Sequence, residues 1–288
     1  MDGSTDLDTL TKLPLARRGF MVSSLISGLT LATAHGAEAQ MIHTDTVGLN
    51  AGETQIPTDA GQLPAYYAKP VGSGPFPIVL VIEEIFGVHE YIKDVCRRLA
   101  KEGYFAVAPE LYARIADLSK YTDVQTIIRE VIAKTPDDRL LKDLDAAVAW
   151  AANHGGDTKR LGVTGFCRGG RNTWLYAAHN PQLKAAVAWY GPVLSPTSPI
   201  QPRTPTDVAA ELKCPLLGLY GGQDASIKVE DVYAAAAKAK AAGKIVEIVV
   251  YPDAPHGFHA DYRPSYRKAD AEDGWRRMLA WFRTHGVG

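Results

Sequence analysis

Residues able to perform nucleophilic chemistry stand in one order along this chain of 288 residues: Cys167, then Asp224, then His256. Cys167 lies in Gly165-Phe166-Cys167-Arg168-Gly169-Gly170, between a β-type run, Leu161 to Thr164, and a helix-compatible run, Asn172 to Ala178. A residue held at a sharp strand-to-helix turn has strained backbone geometry, so the positions two before and two after it need almost no side chain. Glycine stands at both. The pattern is that of a nucleophile elbow with sulfur in place of the commoner hydroxyl. Its side chain would stand at the positive end of the following helix, a setting that favours a thiolate. An imidazole takes a thiol proton and later returns one to a leaving group, while a carboxylate fixes the imidazole's tautomer and supports its cation. His256 and Asp224 are the candidates, with His259 and Asp253 their nearest competitors. Each has a plainer reading when taken singly: a buried structural thiol, a turn-forming aspartate, a histidine satisfied in the core or at the surface. His256-x-x-His259-x-Asp261 also carries metal-ligand residue types, but no helix aligns them. Cys96, inside a helical pattern, and Cys214, before Pro215, read as small apolar packing residues. With three cysteines, even one disulfide leaves a thiol over.

These residues need a scaffold, and the hydrophobic pattern describes one. An antiparallel entry is expected from Thr46 to Asn50, Gly52 to Pro57 and Leu63 to Lys69, turning at Asp59-Ala60-Gly61. Pro77 to Ile82 is a continuous aliphatic run, as in a strand covered on both faces. Strands follow at Phe105 to Ala108, Arg160 to Thr164, Ala185 to Tyr190, Pro215 to Tyr220 and Ile245 to Tyr251. Helices are expected at Glu90 to Lys101, Asp123 to Ala133, Asp137 to Asn153, Val229 to Ala242 and Lys268 to Thr284. The irregular stretch from Pro109 to Pro136 is either a cover for a site or a surface excursion. Strands alternating with helices call for an α/β fold, a mainly parallel twisted sheet with helices on both faces. Reactive residues in such sheets collect beyond the carboxyl ends of the strands. Cys167, Asp224 and His256 each fall just past one. Their order, nucleophile then acid then histidine, is that of the α/β-hydrolase fold.

Glu84-Ile85-Phe86-Gly87-Val88, Pro109-Glu110-Leu111-Tyr112, the Cys167 elbow, Gly221-Gly222-Gln223-Asp224 and His256-Gly257-Phe258 together resemble the dienelactone hydrolase (carboxymethylenebutenolidase) family. The resemblance runs from about Gln55 to His285 with the motifs in family order. It implies a triad of Cys167, His256 and Asp224. It also implies that Glu84 is a carboxylate that pairs with the cysteine at rest and helps form the thiolate when substrate arrives. Glu83 beside it would be merely solvated. Oxyanion donors would be the backbone N–H groups of Ile85, just past a strand, and of Arg168, at the start of the elbow helix. The family holds its substrate's carboxylate with arginines, one of them shortly after the catalytic histidine. Arg263 and Arg267 are this chain's candidates, at a different spacing, and the plainer reading of both is a solvated helix entry.

The N-terminus reads separately. Arg17-Arg18-Gly19-Phe20-Met21 precedes an uncharged apolar stretch, Val22 to Ala34, and Ala37-Glu38-Ala39 follows. That is the order of an export signal over residues 1–39, and the paired arginines and modest hydropathy resemble a twin-arginine leader, whose partner would be the twin-arginine export machinery. A short amphipathic helix is the alternative. The apolar run is too short for a membrane span, so no stable membrane insertion is expected of the mature chain. Formal net charge is −1, and 28 basic against 28 acidic residues remain beyond residue 39, which argues against a nucleic-acid partner. The whole reads as a single catalytic domain over residues 40–288, exported to the periplasm, needing no cofactor or metal. Its partner would be a small-molecule lactone or activated ester. The rivals are a broader esterase or thioesterase with the same triad, and a non-catalytic thiol-bearing binding or redox-sensing protein.

Overall fold

The computed structural model describes residues 41–288. A hairpin of β1 (Leu49–Thr58) and β2 (Gly61–Pro70) comes first, followed by β3 (Phe76–Ile82), α1 (Glu90–Lys101), β4 (Phe105–Pro109), α2 (Val124–Glu130) and α3 (Asp137–Asn153). Then come β5 (Gly156–Phe166), α4 (Arg168–His179), β6 (Ala185–Trp189), α5 (Pro205–Val208), β7 (Leu216–Gly221), α6 (Val229–Ala241), β8 (Val246–Tyr251) and α7 (Lys268–Thr284). All eight strands join one sheet in the order β1-β2-β4-β3-β5-β6-β7-β8. Strands β3 to β8 run parallel, and β2 is antiparallel to both β1 and β4.

Two-residue alternation explains why the central strands are apolar throughout. In β3, Ile78, Leu80 and Ile82 face the core under α3, α4 and α6. Val79 and Val81 face the opposite core, against Val95 and Leu99 of α1 and Phe282 of α7. All five are fully buried, and each such side chain stabilises the fold by about 1.5–3 kcal/mol. A third, smaller core joins Ile85 and Phe86 to Tyr112, Leu118, Val124, Ile127 and Ile132. The Pro109 to Pro136 stretch is thus packed on the loop after β3.

Helices α1, α3 and α7 coincide residue for residue with the sequence pattern. Other elements differ for local reasons. No separate strand forms at Thr46–Asn50: Thr46 to Leu49 makes a turn, the Leu49 N–H donating to the Thr46 carbonyl at 2.9 Å, and β1 runs unbroken from Leu49. Strand β5 starts at Gly156 rather than Arg160, because Gly156 already pairs with Phe76 of β3. The helix expected to Ala133 ends at Glu130, with Val131 as its C-cap (φ −118°), and a 3-10 turn continues it. Helix α4 begins at Arg168, four residues earlier than its pattern suggests, since Gly169 and Gly170 are poor helix formers on propensity alone. The expected export signal, residues 1–39, lies outside the described residues. Among those described, no helix is long and apolar enough to cross a membrane.

Candidate active site

Strand β5 ends at Phe166 and α4 begins at Arg168, so one residue makes the turn between them. That residue, Cys167, has φ +54° and ψ −117°, a left-handed conformation costing about 1–3 kcal/mol for a residue with a Cβ. Its surroundings impose it. A Cβ on Gly165 would lie 2.3 Å from the Gly169 carbonyl oxygen, and one on Gly169 would lie 2.3 Å from that of Ile82. The turn therefore closes only with glycine at both places, and it presses α4 against the end of β3. Arg171, one turn into α4 and almost wholly buried, grips Asp137 at the start of α3 through two bonds of 2.7 and 2.8 Å. Severing such a buried pair costs roughly 3–5 kcal/mol, so the helix that presents the thiol is firmly seated.

Asp224 lies three residues past β7 and His256 five past β8. His256 Nδ1 is 2.6 Å from Asp224 Oδ2. The other carboxylate oxygen accepts from the Ser226 N–H at 2.8 Å, the Ser226 hydroxyl at 2.7 Å and the Ile227 N–H at 3.1 Å. Burial opposes ionisation of Asp224, but His256 and these donors outweigh it and hold the carboxyl below its usual range. Burial likewise opposes charging His256, yet the facing Cys167 sulfur and the Asp224 carboxylate raise it to about 10. The Tyr190 ring meets the imidazole edge-on at 5.2 Å between centroids, and Tyr190 is itself held at φ +36°. Asp253, the competing acid, is exposed on its turn. The competing histidine, His259, is buried between Phe166 and Trp275, with Nδ1 2.7 Å from the Tyr91 hydroxyl. Burial pulls it well below the usual range. Asp261 pairs with Arg98, so the side chains of His256, His259 and Asp261 serve three different partners. Cys96 and Cys214 are buried, and burial pushes both thiols up.

The other wall of the site is built on Glu84. Its side chain is wholly buried, accepts the Tyr262 hydroxyl at 2.6 Å and lies 3.6 Å from Arg263 Nη1. His89 stands 3.9 Å away, but burial drops its pKa to about 4, so it faces Glu84 uncharged. Among the described residues the partners of Glu84 are these three, and the Cys167 sulfur is not one of them. Arg263 is buried rather than solvated, with its guanidinium over the Phe86 ring at 5.1 Å. Gly257 permits that approach: a Cβ there would fall 2.6 Å from Arg263 Nη1. Arg267 is exposed at the entry of α7, bonded to the Pro264 and Tyr266 carbonyls, and the structure does not bring it to the site. Its four-residue spacing from Arg263 spans a turn that sends it outward. Glu83 departs from expectation too: it is fully buried, not solvated.

The N–H groups of Ile85 and Arg168 donate to no protein acceptor among the described residues, as oxyanion donors must in a free site. The Arg168 side chain reaches Gln201 at 2.9 Å, and Gln201 donates to the carbonyls of Ile132 and Thr135, tying the elbow to the Pro109 to Pro136 stretch. Sequence reasoning missed Tyr262, Tyr190 and His89. The one available signal was the adjacency of Tyr262 to Arg263.

Residues 63–286 match the model of the dienelactone hydrolase family. A "Putative carboxymethylenebutenolidase" of Methylorubrum extorquens is 57% identical over 274 residues, covering 95% of this chain and 94% of its own. One of the same name from Yersinia pestis is 53% identical, covering 89% and 96%. The crystal structure of a "Putative Dienelactone Hydrolase" from Klebsiella pneumoniae superposes with a TM-score of 0.80 at 56% identity, over 82% of this chain and 98% of that one.

Proposed function

The chain belongs to the dienelactone hydrolase family, hydrolases of ester and lactone bonds, and from that premise we propose that it opens a lactone or small activated ester through a Cys167 acyl-enzyme. The observation that carries this reading is the 2.6 Å Asp224–His256 contact, with the ring facing a cysteine held at φ +54°. Asp224 accepts from Nδ1–H, which leaves Nε2 for the thiol proton. The Cys167 sulfur attacks the substrate carbonyl, and the oxyanion is taken up by the N–H groups of Ile85 and Arg168. As the C–O bond breaks, the imidazolium returns its proton to the departing alkoxide, leaving a thioester on Cys167. For a lactone that alkoxide remains tethered to the acyl group. Water then attacks the thioester, giving a proton to His256, which passes it to the sulfur as the acid departs. A substrate carboxylate would compete with Glu84 for Arg263, whose planar fork suits either. The export signal expected at residues 1–39 would place this chemistry in the periplasm.

The test is hydrolysis of p-nitrophenyl acetate, longer acyl esters and a dienelactone by periplasmic and cytoplasmic fractions, and by purified wild type and Cys167→Ala. Turnover should lie in the periplasm and fall at least about 10³-fold in the variant, an effect of the size seen when a nucleophile is removed. Full activity in Cys167→Ala would end the cysteine mechanism. No turnover by either protein would leave a thiol-bearing binding protein.

A further inference from the structure

The loop that offers the Ile85 N–H is fastened at both ends to one short segment, and the fasteners are two neighbouring carboxyl groups. Glu83 stands just before Glu84 and Ile85, and its Oε1 accepts the Leu111 N–H at 2.8 Å. Glu110 accepts the Val88 N–H at 3.1 Å, beyond the other end of the loop. Glu110 itself is anchored by its own N–H, which donates to the Pro64 carbonyl of β2 at 2.8 Å. The two carboxyl groups are near neighbours, and the charge of Glu110 opposes ionisation of Glu83. Glu83 Oε2 is fully buried with no hydrogen-bond partner among the described residues, a setting that favours the neutral acid over the charged carboxylate.

We propose that Glu83 and Glu110 are positioning residues: a carboxylic acid–carboxylate pair sharing one proton that sets the 84–88 loop against the elbow and so aims the Ile85 N–H at the reacting oxygen. The proposal rests on the hydrolase reading above. The carbonyl of Glu83 would lie 2.5 Å from a Cβ on Gly169, so the backbone carrying this pair and the helix carrying the thiol are already in contact. A shift of the loop moves one oxyanion donor relative to the other, and such donors act only when placed within a few tenths of an ångström. Charge supports the assignment. Burial, with the like charge of Glu110 added, pushes Glu83 well above the usual carboxylate range, and burial raises Glu110 as well. The other groups facing the pair are Lys93 of α1 and Glu53 of β1, of opposite sign, acting on Glu110, and Tyr112 facing Glu83. Burial raises the Tyr112 phenol, so it adds no charge near neutrality. When Glu83 ionises, two buried anions replace one hydrogen bond and the fastening opens.

The experiment is the pH profile of p-nitrophenyl acetate hydrolysis by the full chain and by Glu83→Ala, Glu110→Ala and Glu83→Gln. The alanine variants should lose about 10- to 100-fold in kcat with little change in KM, since an oxyanion donor serves the transition state more than the bound ester. Glutamine should restore kcat to within about threefold of wild type, because its amide donates to Glu110 while its carbonyl accepts from Leu111. Wild type should also lose turnover at lower pH than Glu83→Gln, which has no proton to shed. Superimposable alkaline limbs, or folded alanine variants with wild-type kcat, would overturn the proposal. If the alanine variants fail to fold, the glutamine comparison still decides. Turnover surviving in Cys167→Ala would sink the hydrolase reading instead, a result separable from an unchanged Glu83→Gln profile in a Cys167-dependent enzyme.

Discussion

The two walls of the site hold carboxylates in opposite ways. Asp224 is surrounded by donors: His256 and three groups from Ser226 and Ile227, the latter all within three residues of it. Its charge is stabilised and its pKa lowered despite burial. On the other wall Glu83 feels the charge of a second carboxyl group, and Glu84 leans on a tyrosine and an arginine 178 and 179 residues along the chain. There burial wins at Glu83 and pushes it well above the usual carboxylate range. One wall is an ionised group saturated by its own turn. The other is a set of buried carboxyl groups assembled from distant segments and fixed by packing on α1 and the third core. The first suits a charge that must stay put through a catalytic cycle, and the second suits groups whose state changes with substrate or pH.

The largest expected effect lies on the Asp224 wall. Asp224→Asn keeps the shape but makes the acid a neutral amide, so the imidazole loses its fixed tautomer and the support for its cation. We expect kcat/KM for p-nitrophenyl esters to fall about 10²- to 10⁴-fold. A loss below tenfold would mean that the contact at 2.6 Å is structural and that the two walls do not divide the labour as argued.

Tyr262→Phe probes the facing wall with a smaller effect. It removes the 2.6 Å bond to Glu84 and leaves a buried carboxylate with Arg263 at 3.6 Å as its main partner. A hydrogen bond to a buried charged group contributes about 1.5–3 kcal/mol, so stability should fall by that order in urea titration. Turnover should fall about tenfold, with the larger share in substrates that carry a carboxylate. Unchanged stability together with unchanged turnover would show that Glu84 is held by other means.

The same contrast explains what the chain discloses before it is folded. The elbow spans five residues and the Asp224 turn four, and each side chain's placement follows from its near neighbours, so both positions read directly from spacing. Helices α1, α3 and α7 carry their apolar stripes whole. Glu83 reads as a solvated carboxylate because nothing beside it announces burial; its cover comes from Glu110, Leu111 and Tyr112, some 28 residues away. Arg263 and Arg267 look alike in sequence, and only the bend after Gly257 puts one inside and the other on the surface. Chemistry held by short turns is legible, while chemistry held by packing between segments is not.

The effect smallest in turnover tests the comparison most directly, because the two walls should give stability slopes of opposite sign. Asp224 has its folded pKa lowered, so its contribution is present above the unfolded value, about 3.9, and is lost as pH falls through the folded one. Asp224→Asn should therefore cost stability near neutrality and progressively less in acid. Glu83 has its folded pKa raised, so its contribution is whole below the unfolded value, about 4.3, and is lost as pH rises toward the folded one. Glu83→Gln should accordingly gain on wild type as pH rises, at up to about 1.4 kcal/mol per pH unit while only the unfolded chain ionises. For a chain of this size that is roughly 2–4 °C in Tm for each kcal/mol. Thermal unfolding of the three proteins from about pH 2 to about pH 9 would show one gap closing on acidification below about pH 4 and the other widening on alkalinisation. Parallel curves for Glu83→Gln and wild type would mean that Glu83 ionises as it does in the unfolded chain, and the difference between the walls would then be one of contacts rather than of charge.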